Sequence, residues 1–262
     1  MTIDWRKLTA DALMAELDTT PKPGLVDRNN NGSHRDMDYT LMSKSIDAIA
    51  PYFEKMAVAS RQTLDVPTLQ AIGLEAEKAM FEVTHGVNTH KGAIFCIGLL
   101  VASYAHLLAA NEGQVQLGQL QQVIEDTAQE FQPQQNTNGV MAALRYRVQG
   151  ALAMAQHGYE IVLHDILPWY RKALNESPDE NMARVRTLLY IMSRIEDTNL
   201  YHRGGEKVAL EIRKRAGELC KQCSLEELME FDAQCISLNV SAGGSADILS
   251  MTILLDKLNN II

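Results

Sequence analysis

The sequence predicts an all-α fold: a single compact multi-helix domain of about ten helices that covers residues 1–262. Hydrophobic residues make up 46% of the chain but aromatics only 6%, so helix-favouring Leu, Ala, Met and Ile dominate. Long β-branched or aromatic runs, which are typical of strands, are scarce. There is no internal repeat or linker-like stretch, and a chain of this length can bury a substantial core.

The first helix is predicted over residues 5–18, where apolar residues recur at helical spacing from Leu8 to Leu17. Pro21, which has no amide hydrogen, prevents the helix from continuing. Residues 19–38 then form a loop that mixes apolar residues with polar ones. Loops of this length are usually functional or disordered, and the apolar residues favour an ordered loop.

Ten more helices are predicted from the same periodicity. They span residues 39–60, 66–84, 91–108, 118–131, 142–157, 161–175, 180–195, 206–222, 224–239 and 245–258. A turn is predicted over residues 132–139, which contain Pro133. Ser224 and Glu227 have the spacing of a capping box, which fixes the start of one helix.

The formal net charge of -9 disfavours nonspecific binding to nucleic acid or to an anionic membrane. No apolar run reaches the roughly 18–20 residues that span a bilayer, and the N-terminus has no signal-peptide pattern, so we expect a cytoplasmic protein. Cys220 and Cys223 have metal-site spacing, but the remaining cysteines do not complete a zinc site, which favours a structural role. The sequence leaves open whether the chain forms a homodimer.

Four polar motifs lie at joints between predicted helices. The first is the loop of residues 21–37, where prolines and glycines can fix the direction of charged side chains. Its candidate residues are Lys22, Asp27, Arg28, His34 and Asp36. The alternative is a solvated loop held by local turns.

The second motif is Gly-Val-Asn-Thr-His-Lys-Gly at residues 86–92, which begins a predicted helix. Asn88 or Thr89 is the expected cap, and the free amides of a helix N-terminus suit a phosphate. Lys91 adds a positive charge, while His90 offers a phosphate donor or a proton shuttle. The alternative is an ordinary capped helix with surface His and Lys.

The third motif covers residues 197–206, and its candidates are Asp197, Asn199, Arg203, Gly204, Gly205 and Glu206. Arg203 suits bidentate phosphate contact, while Asp197 and Glu206 suit metal binding or base catalysis. A helix end with a surface ion pair is the alternative.

The fourth motif, residues 239–247, contains Gly243 and Gly244, which allow close approach to a ligand, and Ser245, the expected N-cap. Glu77 lies in the helix before the second motif and is a candidate for the same pocket, although a mid-helix Glu is usually solvated. Together the four motifs suggest a polyphosphate held by amides, Lys, Arg and Mg²⁺.

In these motifs the chain resembles the triphosphoribosyl-dephospho-coenzyme A synthases, which make the prosthetic-group precursor of citrate lyase and malonate decarboxylase acyl carrier subunits. The matching stretches occur in the family's order over nearly the whole chain. They are residues 21–28, Gly32 with His34 and Asp36-Met37, residues 77–84, 86–92, 197–199, 203–206 and 243–247.

The resemblance implies an all-α transferase whose substrates are ATP and 3′-dephospho-coenzyme A. The 2′-hydroxyl of the acceptor attacks C1 of the ATP ribose, and adenine leaves. From this chemistry, we expect acids for catalytic roles at Asp27, Asp36, Glu77, Asp197 and Glu206, with Asp36, Glu77 and Asp197 also as candidate Mg²⁺ ligands. Lys22, Arg28, His90, Lys91 and Arg203 would hold the triphosphate.

One segment departs from the family pattern. Where the family usually has Arg, Gly and Glu, this chain has Leu152, Ala153 and Met154, and Arg145 or Arg147 is a candidate to compensate. Two alternatives to the transferase therefore stay open: a related nucleotide N-glycosidase or ribosyltransferase with another acceptor, and a paralogue that binds nucleotide without turnover.

Overall fold

Twelve α-helices and no strand occur in the part of the chain described by the computed structural model, which is residues 3–132 and 137–260. The all-α prediction is confirmed. The helices are α1 (Trp5–Asp18), α2 (Tyr39–Ala59), α3 (Val66–Val83), α4 (Lys91–Ala110), α5 (Leu117–Gln129), α6 (Asn138–Tyr146), α7 (Ala151–Gln156), α8 (Leu167–Glu176), α9 (Glu180–Arg194), α10 (Thr198–Leu219), α11 (Leu225–Ser237) and α12 (Gly243–Asn259). A π-helical turn, Val162–Ile166, leads into α8.

Helix α4 lies in the core and packs against α2, α3, α5 and α12. By length and composition α4 could cross a membrane. The expectation that no apolar run reaches the roughly 18–20 residues that span a bilayer was therefore wrong. Polar residues such as Ser103 and His106 interrupt its apolar run without making the helix polar as a whole. In this structure 72% of its apolar window is buried inside the protein, and buried core helices commonly pass the same test.

Most helix ends lie close to their predicted positions because nearby side chains cap them. The carboxylates of Asp38, Asp65 and Asp179 each accept a hydrogen bond from the backbone amide three residues on, at the starts of α2, α3 and α9. The capping box is confirmed. Ser224 Oγ accepts from the Glu227 amide, and the Glu227 carboxylate accepts from the Ser224 amide.

The predicted helix over residues 142–157 is instead two helices, α6 and α7. The chain turns at Arg147, whose φ of 57° lies in the left-handed region, and the Arg147 amide closes α6 on the Ala143 carbonyl. Gly150 is then the N-cap of α7. Residues 133–136 of the turn predicted before α6 lie outside the described residues.

Helices α10 and α12 both begin earlier than predicted. The Asp197 carboxylate accepts from the Asn199 amide and starts α10 at Thr198 instead of residue 206. Gly205, with φ 73° and ψ 176°, kinks α10 near the predicted start. Helix α12 begins at Gly243, so Ser245 lies inside its first turn, and the prediction that Ser245 is the N-cap was wrong.

The loop between α1 and α2 is ordered, as predicted. The Asp27 carboxylate accepts hydrogen bonds from three backbone amides of the loop, and Asp232 of α11 accepts one from the Gly24 amide at 2.9 Å. Gly24 has φ 71°, and a Cβ there would lie 2.4 Å from the Val240 carbonyl oxygen. Ser33 Oγ donates to that same oxygen at 2.7 Å. The loop is therefore fixed to the segment that joins α11 and α12.

Candidate active site

A cavity of about 970 Å³ lies where the loop between α1 and α2 meets the first turns of α4, α10 and α12. Residues from all four predicted motifs line it, together with the candidate Glu77 of α3. They are Lys22, His34, Glu77, Asn88, Thr89, His90, Lys91, Asn199, Arg203, Gly243 and Gly244. Apolar side chains, among them Leu74, Phe95 and Leu144, complete the lining. The volume is at the upper end of the range for small-molecule sites, which suits a large ligand or two ligands together.

The other predicted site residues do not line this cavity. They are Asp27, Arg28, Asp36, Asp197, Gly204, Gly205, Glu206 and Ser245. Asp36 is 62% exposed and lies in a separate groove of about 280 Å³, 3.8 Å from His34 Nδ1. Arg28 is 58% exposed and pairs with Asp18 at 2.6 Å, so its charge is neutralised outside the cavity.

Three of these residues, Gly204, Gly205 and Glu206, belong to α10 and lie outside the cavity lining. The Glu206 side chain is exposed and forms no hydrogen bond or ion pair with the residues of the described ranges 3–132 and 137–260. A Cβ at Gly204 would lie 2.8 Å from a methyl group of Val240, so Gly204 permits close packing. Gly205 forms the kink in α10.

Asp197 is a buried carboxylate with a structural role, and it does not line the cavity. It accepts hydrogen bonds from the Asn199 amide at 2.9 Å, the Ser245 amide at 2.7 Å and Ser245 Oγ at 2.9 Å. Burial raises the pKa of Asp197, while these bonds and the Gly244 amide oppose the shift. Asp197 therefore holds the N-termini of α10 and α12 together, and its oxygens are already occupied by protein donors.

Lys22 is buried on the cavity lining and forms an ion pair with Glu16 of α1, with Nζ and Oε1 2.5 Å apart. Burial raises the pKa of Glu16, and the charge of Lys22 opposes that shift. Because Glu16 neutralises Lys22, this lysine does not supply a free positive charge for a triphosphate. The sequence reasoning missed Glu16, which looks like an ordinary mid-helix residue; its burial depends on Lys22.

Lys91 and Glu77 form a second ion pair at the cavity, with Nζ and Oε2 2.8 Å apart. Their side chains are 31% and 16% exposed, so water and ligands can reach them. Asn88 Oδ1 accepts from the Lys91 amide at 3.2 Å, and Thr89 Oγ1 donates to Ser45 Oγ. The N-cap of α4 is His90, which makes no side-chain cap hydrogen bond, so the prediction that Asn88 or Thr89 is the cap was wrong. The more accessible Lys91 can exchange Glu77 for a phosphate oxygen.

His90 is a neutral imidazole on the cavity lining. Burial and then the charge of Lys22 lower its pKa to about 3. Nδ1 bonds to Ser45 Oγ at 2.8 Å, and Thr89 Oγ1 donates to that same oxygen at 2.7 Å. Nε2 is buried without a protein partner in the described residues. A proton shuttle or a cationic phosphate contact at neutral pH does not fit this group, but a neutral hydrogen bond from Nε2 does.

His34 and Arg203 lie together on the cavity. His34 Nε2 bonds to Ser241 Oγ at 2.9 Å, and burial, reinforced by Arg203, lowers the pKa of His34. Arg203 Nη1 donates to the carbonyl oxygens of Ser33 and Asn239 at 3.0 and 3.3 Å. Arg203 has no carboxylate partner among the described residues, so its charge is available to an anionic ligand.

Asp247, like Glu16, is an acid on the cavity lining that our candidates omitted. Its carboxylate lies against Gly92 of α4: a Cβ at Gly92 would meet Oδ2 at 2.0 Å. Burial raises the pKa of Asp247 well above its usual range, Asp197 and Glu16 raise it further, and the Ala93 amide opposes the shift. The glycine at the end of the second motif was a sequence signal for this contact.

The segment that departs from the family pattern forms part of the cavity. Leu152 and Ala153 of α7 line it, whereas Met154 packs against the core. Arg145 and Arg147 do not line the cavity and are exposed, so neither takes the place of the missing arginine. This wall of the cavity is consequently apolar.

The described residues contain no group of three His, Cys, Asp or Glu side chains that could hold a metal ion by themselves. Of the predicted Mg²⁺ ligands, Asp36 lies in another groove, Asp197 is occupied by protein donors, and Glu77 alone lines the cavity. A single carboxylate still fits Mg²⁺ that arrives on substrate phosphates, because Mg²⁺ is commonly bound by one or two carboxylates plus phosphates.

Comparison with known proteins gives one family. The family described as ATP:dephospho-CoA triphosphoribosyl transferase matches residues 4–262. A probable 2-(5''-triphosphoribosyl)-3'-dephosphocoenzyme-A synthase of Pseudomonas fluorescens is 38% identical over 97% of this chain and 90% of that protein. The 2-(5''-triphosphoribosyl)-3'-dephosphocoenzyme-A synthase of Pectobacterium atrosepticum is 38% identical over 97% of this chain and 88% of that protein.

No solved structure is significantly similar to the chain. The relatives confirm the resemblance predicted from the four motifs, and they give no support to the N-glycosidase or non-catalytic alternatives. The family match extends over nearly the whole chain, and residues from each of the four motifs line one cavity. The chain belongs to the ATP:dephospho-CoA triphosphoribosyl transferase family.

Proposed function

We propose that this chain transfers the triphosphoribosyl group of ATP to the 2′-hydroxyl of 3′-dephospho-CoA and releases adenine. A C–O bond forms between the acceptor oxygen and C1 of the ATP ribose, and the bond from C1 to adenine breaks. Adenine takes the bonding electron pair, and the hydroxyl proton is lost. The family match and the names of the relatives support this reaction.

The observation that carries the proposal is the position of two accessible cations beside a helix N-terminus on one large cavity. Arg203 has no carboxylate partner in the described residues, and Lys91 is partly exposed at the first turn of α4. Amides of a helix N-terminus attract phosphate oxygens, and Arg adds directed hydrogen bonds. These groups would bind the triphosphate, while the apolar walls would accommodate purine rings.

The cavity is large enough to support binding of both substrates at once. Leu144 of α6 and Leu74 of α3 line it and are also strongly exposed, which indicates an open apolar rim. An apolar rim suits the pantetheine arm of the acceptor, because that arm extends away from the reacting ribose.

We propose that Mg²⁺ enters as the Mg–ATP complex and that Glu77 is its protein contact.

The reaction is tested by incubating the protein with ATP, Mg²⁺ and dephospho-CoA, then quantifying adenine by chromatography and the product by mass spectrometry. Adenine release that requires dephospho-CoA supports the proposal. Adenine release without the acceptor indicates hydrolysis. ATP binding with no adenine in any mixture would overturn the transferase assignment.

A pair of lysine variants tests the triphosphate site in the same assay. Lys91→Ala removes a charge-assisted contact and should weaken ATP binding by about 10- to 150-fold, from roughly 1.5–3 kcal/mol for such a hydrogen bond. Lys78→Ala is the matched control, because Lys78 forms an ion pair with Glu82 on the exposed surface of α3. Equal ATP affinity of the two variants would contradict the assignment of Lys91.

A further inference from the structure

Three carboxylates line the cavity, and they differ in how they are neutralised. Glu16 pairs with Lys22, and Glu77 pairs with Lys91. Asp247 forms no ion pair with any residue in the described ranges 3–132 and 137–260. Among the three acids, Asp247 is therefore the one whose carboxylate has no ion-pair partner in the described residues.

The surroundings of Asp247 keep its carboxylate at the cavity. Its backbone belongs to the first turns of α12, and its Oδ2 occupies the space that a side chain at Gly92 would fill. The Cys96 thiol contacts the Asp247 carbonyl oxygen at 3.9 Å, which ties this turn to α4. The carboxylate thus lies between the N-terminal turns of two helices, beside the amides that we assign to phosphate binding.

We propose that Asp247 is the general base that accepts the proton of the 2′-hydroxyl of dephospho-CoA, an inference that rests on the proposed function. As the acceptor oxygen bonds to C1 of the ATP ribose, its proton passes to a carboxylate oxygen of Asp247. The electron pair of the broken bond leaves with adenine, which is protonated from solvent. Asp247 then returns its proton to solvent, so that atoms and charge balance over one turnover.

The electrostatic environment supports this role. Glu16 from α1 and Asp197 from the cap of α10 raise the pKa of Asp247, and Asp247 in turn raises the pKa of two neighbours, Cys96 from α4 and Tyr159 from the segment before α8. None of these four is a cation. Burial and the two acids raise the pKa of Asp247, so this carboxylate binds a transferred proton more tightly than an exposed aspartate would.

The test compares Asp247→Asn with the wild type and with Asp256→Asn. Asp256 lies on the same helix, pairs with Arg171 and does not line the cavity, so Asp256→Asn should retain activity. Steady-state adenine release is measured over a range of pH, and ATP affinity is measured by calorimetry. We expect Asp247→Asn to lower kcat by about 10²- to 10⁴-fold, the usual contribution of general acid–base catalysis, with ATP affinity unchanged.

The pH profile separates a base from a structural residue. The wild-type kcat/KM should rise with pH as Asp247 ionises, and Asp247→Asn should lose that rise. Added formate should restore part of the activity of Asp247→Ala by supplying a carboxylate. The base assignment is overturned if Asp247→Asn keeps the wild-type rate or pH dependence, or if it loses ATP binding. An inactive wild-type protein would instead overturn the proposed function.

Discussion

Replacing Asp197 with Ala should destabilise the protein strongly, because this carboxylate joins two helix N-termini inside the core. The substitution leaves the Ser245 amide and hydroxyl buried without their acceptor, and removes the cap on the Asn199 amide. Hydrogen bonds to a charged group contribute about 1.5–3 kcal/mol each, so three bonds give a gross loss of about 5 kcal/mol or more.

The net loss is smaller because the substitution also removes a buried charge. Burial raises the pKa of Asp197, which means that folding disfavours its ionised form. We therefore expect the free energy of unfolding to fall by about 3 kcal/mol, a large part of the roughly 5–15 kcal/mol of a natural domain. Urea denaturation followed by circular dichroism measures this change.

Glu206→Ala is the matched control, since Glu206 belongs to the same motif but is exposed. Its free energy of unfolding should stay within about 0.5 kcal/mol of the wild type. If Asp197→Ala abolishes activity while losing less than about 1 kcal/mol of stability, Asp197 acts on substrate directly, and the structural role argued from its hydrogen bonds is refuted.

Three further predictions concern the cavity. Gly92→Ala should lower activity at least tenfold and destabilise the fold by about 1–3 kcal/mol, because its Cβ would displace the Asp247 carboxylate. Gly118→Ala, where no atom lies within 4 Å of the new Cβ, should keep full activity in the same assay. Asp247→Asn should melt at a higher temperature than the wild type at neutral pH. The raised pKa of Asp247 contributes stability that is complete below the unfolded-state pKa and is lost as pH rises through the folded-state pKa. In scanning calorimetry, the difference in melting temperature between Asp247→Asn and the wild type should grow as pH rises. A melting-temperature difference that stays constant with pH would contradict the raised pKa of Asp247. Finally, His90→Gln should retain more adenine release than His90→Asn, since only Gln places an amide donor near the position of Nε2; the reverse order would contradict a donor role for Nε2.

Helix positions were predictable because their determinants are local. Apolar periodicity located the helices, and side chains within one turn, such as Ser224 and Asp179, fixed several starts. The break at Arg147 was not predictable, because a left-handed arginine has no local signature and depends on how α6 and α7 pack. The start of α12 was missed because Ser245, which looks like a cap, bonds to Asp197 from a distant motif.

The candidate site was predictable as a set of motifs but not as a set of roles. Lys91, Glu77 and Arg203 do line the cavity, as their motifs suggested. The environment of each acid depends on long-range contacts, so sequence could not separate the internal Asp197 from the accessible Glu77. Asp247 was missed for the same reason, since its partner Gly92 belongs to another helix.

The lining of the cavity comes from both ends of the chain, since α1 packs against α12 and supplies Glu16 while α12 supplies Asp247. These two residues are 231 positions apart (247 minus 16). At about 5–20 residues per second, a ribosome needs roughly 10–50 s to synthesise the chain between them. A nascent chain can thus bury α4 against α2 and α3 well before the cavity is complete, and the site can form only after α12 has emerged from the ribosome.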